Sequence, residues 1–194
     1  MNDMSGGVQS NQDRKGSTTQ NMFMRSLVGA HVPGGFVWIM KCTGEEPVFA
    51  ENNKVLPLRE ALDSLTRTDP RYKWQMKKEV VNLMPSSGIP DLLKSHIRKF
   101  IVETDLDDAV RQLLMLPEVK QNMARLGLKR SSMTLLVGPG PSYGSPSKIK
   151  VYLHNVTLQE ALNALVKAHG RAIWEYRELR CKGTNEFLID FPAR

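Results

Sequence analysis

The residue types that could do chemistry stand far apart in this chain. His31, His96, His154 and His169 occur singly, with no His-x-x-x-His pair and no carboxylate at ligand spacing, so no metal site is expected. His169 precedes Gly170 in what reads as a last helical turn, where an imidazolium suits the negative end of the dipole. There is no Gly-x-Ser-x-Gly elbow, Walker loop or Gly-x-Gly-x-x-Gly. The Gly138 to Gly144 stretch lacks the Gly-Lys-Ser/Thr ending of a phosphate loop, and its prolines remove amide donors. Glu60 and Glu160 fall in first helical turns, where a carboxylate caps free amides and offsets the dipole. Cys42 has no base beside it to activate a nucleophile. These patterns predict a non-enzymatic protein with no catalytic residues and no cofactor.

Cys42 and Cys181 are the only cysteines, too distant for a metal knuckle and too few for a disulfide scaffold. The sequence fits either one bridge, as in a protein that leaves the cytoplasm, or two unrelated buried thiols.

The most informative pattern is a repeat, which sets the elements that must position any site. Leu58-Arg-Glu-Ala-Leu-Asp-Ser-Leu65 recurs as Leu158-Gln-Glu-Ala-Leu-Asn-Ala-Leu165, and at the same spacing of 100 residues Arg71 and Trp74 recur as Arg171 and Trp174. Each copy then reaches an apolar run closed by proline, Val80-Val-Asn-Leu-Met-Pro85 and Phe187-Leu-Ile-Asp-Phe-Pro192. A fainter echo, Leu106-Asp-Asp-Ala-Val-Arg-Gln-Leu113, has the i, i+3, i+4, i+7 spacing of any amphipathic helix and no following Trp.

Local chemistry marks the boundaries. Thr157 with Glu160 forms a capping-box pattern that starts a helix, and Gly170 stops it. Pro57 suits the start of the first copy's helix, and Asp69-Pro70 ends it. Tyr72 to Met76 and Ala172 to Tyr176 alternate as aromatic-rich strands, with Trp74 and Trp174 predicted to face the same way and pack on the helices. Between the copies the sequence predicts a short helix at Pro90-Asp-Leu-Leu, a strand from Ile97 to Glu103, helices from Leu106 and from Pro117 to Leu126, and a strand from Ser131 to Val137.

The expected fold is α+β: two small helix-on-sheet repeats (β-α-β-β), an intervening helical segment and a disordered N-terminal tail. The domain division is 1–30 tail, 31–137 first repeat plus helical segment, 138–148 Pro/Gly/Ser loop, and 149–194 second repeat. Residues 1 to 20 are polar and lack aromatics, so their removal is expected to leave stability unchanged.

Composition supports an ordinary globular core, with 41% apolar residues in 194. The excess of 27 Lys and Arg over 20 Asp and Glu, a net +7, would suit a polyanion. Yet the charge is dispersed, and the densest cluster, Arg71 to Lys78, alternates cations with Tyr72, Trp74 and Met76 as one wet and one buried face. Neither a Gly-x-x-Gly clamp nor an RNP-like aromatic run is present, so nucleic-acid binding is the second reading. No stretch reaches the roughly 20 apolar residues of a spanning helix; the longest pure apolar run, Phe36 to Met40, is a strand length. No secretory signal pattern is visible at the N-terminus, where the start is polar and Arg25 interrupts the following apolar stretch.

Val151-Tyr-Leu-His-Asn-Val-Thr-Leu-Gln-Glu-Ala-Leu162 and its continuation to Phe191 resemble the short N-terminal (STN-like) domain of secretins and TonB-dependent receptors. Residues 55 to 85 match the same half-motif without the Asn-Val-Thr turn. The resemblance implies a bacterial cell-envelope module on the periplasmic side that binds protein segments or stacks on neighbouring domains, with no catalytic residues to carry over. No barrel or secretin pore pattern accompanies it.

Small sheets keep open edges. The expected partner is therefore a protein segment or a second copy, joined by strand addition, with Trp74, Val81, Trp174, Tyr176 and Ile189 as the candidate binding residues.

Overall fold

The computed structural model describes residues 16–40, 42, 47–50, 56–131 and 148–193. The fold is α+β. Its first half runs β1 (Gly16–Thr18), α1 (Thr19–Ala30), β2 (Gly34–Ile39), β3 (Val48–Ala50), α2 (Leu58–Thr68), β4 (Tyr72–Lys77) and β5 (Val80–Pro85). After a 3-10 turn at Asp91–Lys94, the second half runs β6 (His96–Thr104), α3 (Leu106–Met115), α4 (Pro117–Leu126), β7 (Lys129–Arg130), β8 (Ile149–Thr157), α5 (Leu158–His169), β9 (Ile173–Cys181) and β10 (Thr184–Ala193).

The expected boundaries have the expected causes. The Thr157 hydroxyl accepts from the Glu160 amide while the Glu160 carboxylate accepts from the Thr157 amide, and Gly170 closes α5 at φ 91°. Pro57 immediately precedes α2, which ends one residue short of Asp69-Pro70. Pro117 opens α4, and Gly127 ends it at φ 64°.

Pairing shows that the duplication is larger than the repeated sequence. In the first half β1 pairs antiparallel with β3, β4 antiparallel with β5, and β2 parallel with β5. In the second half β6 pairs antiparallel with β8, β9 antiparallel with β10, and β7 parallel with β10. The segment between the repeats is therefore no insertion: β6, α3 and β7 are the second unit's versions of β1, α1 and β2, with α4 as an addition. The fainter helical echo at Leu106 is α3, the counterpart of α1 rather than of α2. Of the strand expected at Ser131 to Val137, residues 132–137 lie outside the described residues, as do the Gly138 to Ser147 loop and the domain boundary placed in it.

The two units share one sheet, in the order β4-β5-β2-β9-β10-β7. They are joined by parallel pairing of β2 with β9, from Gly34 opposite Ile173 to Ile39 opposite Glu178. Alternation along the strands sends their apolar side chains to opposite faces. Phe36, Val81, Leu83 and Ile173 meet Phe23 and Leu27 of α1 and Leu62 and Leu65 of α2. Val37, Val80, Met84, Trp174 and Tyr176 meet Leu162, Leu165 and Val166 of α5 and Leu113 of α3. The second unit thus repeats the first with its strands reversed and its helices on the other face.

The tail expected over residues 1–30 is corrected from residue 16 onward. Phe23 and Leu27, one helical turn apart, are fully buried, which gives α1 the apolar stripe that a short run of mixed composition conceals. The Thr18 side chain caps α1, Thr19 donates to Asp69 at 2.6 Å, and Gln20 donates to Glu175 at 2.7 Å. Removing residues 1–20 therefore costs about 1–3 kcal/mol through the lost cap and buried hydrogen bonds, seen as a lower melting temperature. An unchanged melt would show that α1 does not depend on these contacts.

Candidate functional site

A two-residue turn with Lys78 and Glu79 both at positive φ (53° and 68°) folds β4 back on β5. This mirror-image turn matches the twist of a tight hairpin. Lys77 faces Val80 across it, and in an antiparallel ladder hydrogen-bonded and non-hydrogen-bonded pairs alternate from that point. The N–H and C=O groups of Trp74 and Met76 therefore point away from β5, and no other described strand pairs with them.

The second unit shows what such an edge can hold, because the same side of β9 is occupied by β2. The Trp174 indole donates to the Asn163 side chain at 2.7 Å, just as the Trp74 indole donates to Asp63 at 2.8 Å. Both tryptophans are thereby pinned to the helix of their own unit, as the repeat predicted. Their exposures differ. Trp174 is fully buried, with Gly35 of β2 beside it: a Cβ at Gly35 would lie 2.1 Å from Trp174 Cε2, so only glycine allows this approach. Trp74 is half-buried, and Met76, counterpart of the buried Tyr176, is 56% exposed.

The charges around β4 are set by specific contacts. Burial works to raise the Asp69 carboxyl, but hydrogen bonds from Arg71 and Thr19 outweigh it and hold the group below its ordinary value. The Lys77 ammonium, 2.7 Å from Glu160, together with the Thr157 amide, draws the Glu160 carboxyl down to about 2. That ion pair ties the first unit's edge to the first turn of α5. Lys73 and Lys78 are exposed on the same strand and turn. At the seam, burial pushes the Glu175 carboxyl up despite its pairing with Arg177 and Gln20. Arg177 also lies 4.3 Å from the centroid of the Trp38 ring on the neighbouring strand.

Four of the five candidate binding residues are relocated. Val81 is on β5, between β4 and β2, and Ile189 is on β10, between β9 and β7, so neither stands on an open edge. Both are buried. Trp174 and Tyr176 lie on β9, whose two sides are taken by β2 and β10, and both are fully buried. The reason is twofold: β2 and β7 cover the outer sides of β5 and β10 within their own units, and the joining of the units through β2 and β9 closes the remaining side of β9. Only Trp74 remains on an open edge. Met76 and the Gly34-Gly35 pair were not singled out from the sequence; the alternation of Trp74 with Met76, and a glycine pair opening the longest apolar run, were the signals available.

The structure bridges Cys42 and Cys181, with Cα atoms 5.5 Å apart. The bridge joins the chain just beyond β2 to the last residue of β9, at one end of the seam between units. Among the described residues no group of three His, Cys, Asp or Glu side chains could hold a metal, and no helix is long and apolar enough to cross a membrane.

No family model, curated protein or solved structure matches this chain.

Proposed function

We propose that this chain is a non-enzymatic protein-binding or assembly module that accepts an extended segment at the open edge of β4. The observation that carries this reading is the contrast between two equivalent strands of one molecule: β9 is already completed by a parallel strand, whereas β4 presents the same unpaired amides and a half-covered tryptophan. The bridged cysteines and the resemblance of residues 151–191 to short secretin and receptor N-terminal domains support work in an oxidising envelope compartment.

A photo-crosslinking residue at Gln75, introduced in the native host, is expected to capture a protein, and Met76→Pro is expected to abolish that capture. Proline is tolerated on an edge strand where its missing N–H would face solvent, so this variant should melt like the parent. Capture that survives in the folded Met76→Pro protein, or no capture at all, overturns strand addition at β4. The polyanion reading predicts instead a steep loss of heparin or polyU retention with salt. Among the described residues several cations are already paired, including Arg71 with Asp69, Lys94 with Asp91, Arg98 with Glu118 and Lys150 with Glu103, which lowers the charge they offer a polyanion.

A further inference from the structure

The seam between the units is an internal record of what this kind of edge accepts. Opposite Trp174 stands Gly35, opposite Tyr176 stands Val37, and opposite Arg177 stands Trp38, all on a strand running parallel to β9. Counting by the repeat, the matching positions on β4 are Trp74, Met76 and Lys77. A side chain opposite Trp74 meets the indole as a Cβ at Gly35 would meet Trp174. An aliphatic side chain opposite Met76 would cover surface that is now 56% exposed.

Charge weighs against a second copy joined through either edge of the six-stranded sheet. Residues directly opposite one another on neighbouring strands share a face, and like charges placed there are destabilising. Lys73 and Lys77 lie on one face of β4 and both are exposed; the Lys77–Glu160 pair, with its lysine 51% exposed, is a surface pair of small worth that an incoming carboxylate can share. A second copy offering its own β4 would set these lysines near one another, and a copy offering β7 would bring Lys129 and Arg130. Lysines on an edge are also a common protection against uncontrolled pairing, and here they leave entry open to acidic strands.

We infer that the β4 edge receives, in parallel, an acidic extended segment of another protein, with glycine opposite Trp74, an aliphatic residue opposite Met76, and carboxylates opposite Lys73 and Lys77. This rests on the strand-docking reading of the same edge and adds the partner's chemistry and direction.

The test uses the full chain and the synthetic peptide Thr-Glu-Gly-Thr-Val-Glu-Thr, titrated while the amide resonances of Trp74 and Met76 are followed. The parent peptide should shift both resonances. A version with valine in place of its glycine, and one with lysines in place of its glutamates, should each bind about tenfold or more weakly. Equal binding by either version, or none by the parent, overturns the inference. So does concentration-dependent self-association that Met76→Pro abolishes, since it would make a second copy the occupant. If crosslinking from Gln75 still depends on Met76 while the peptides fail, strand docking at β4 stands and only this partner chemistry falls.

Discussion

Leu162→Ala is expected to lower the unfolding free energy by about 2–5 kcal/mol, and Leu62→Ala by a similar amount, through lost burial plus the cavity left behind. Both side chains are fully buried at the same position of the repeat, Leu62 in α2 on one face of the sheet and Leu162 in α5 on the other. Because both helices pack on a shared sheet, either substitution should weaken the whole chain in a single transition. Urea unfolding followed by circular dichroism and tryptophan fluorescence checks both points. A cost under about 0.5 kcal/mol at both positions would show that these helices do not pack as described, and two separate transitions would show that the seam does not couple the units.

The second large effect concerns the Cys42–Cys181 bridge. Its cysteines are 139 residues apart, so in the unfolded chain it closes a long loop, and the loop-entropy account assigns such bridges the largest stabilisation. The double variant Cys42→Ser with Cys181→Ser is expected to lose about 2–5 kcal/mol, measured as a fall in denaturant midpoint against the oxidised parent. Thiol counting on the denatured protein from its native host should find no free thiol. Two free thiols, or a double variant as stable as the parent, would remove the bridge from the account of both the seam and the compartment.

What could be read from the sequence followed the range of the forces involved. Helix starts and stops depend on side chains within four residues of one another, so the Thr157–Glu160 box, the Gly170 stop and Pro117 were legible and stand as expected. The repeated Leu-x-Glu-Ala-Leu helices and the Trp74 and Trp174 strands were legible because apolar spacing reports which face is buried. The merging of the units was not. It depends on β2 meeting β9 far along the chain, a contact written only in a glycine pair whose meaning requires knowing that Trp174 lies beside it. Hence Trp174 and Tyr176 read as edge or surface residues although they lie in the interior, and Val81 and Ile189 do so because the pairing of β2 with β5 and of β7 with β10 also joins segments far apart in the chain. In the same way α1 was hidden in a polar start, because two buried residues, Phe23 and Leu27, carry most of its attachment.

The position of β2 has a consequence for the order of events as the chain is made. One side of β2 is closed by β5, which follows it closely, but the other waits for β9, near the far end of the chain. At synthesis rates of roughly 5–20 residues per second, the stretch from Pro85, the end of β5, to Cys181, the end of β9, takes roughly 5–19 s to appear. For that interval the nascent protein carries a bare, glycine-led, aromatic strand, Gly34–Ile39, beside a finished hairpin. This is the period in which a holding chaperone would matter most, and it ends when the last hairpin arrives.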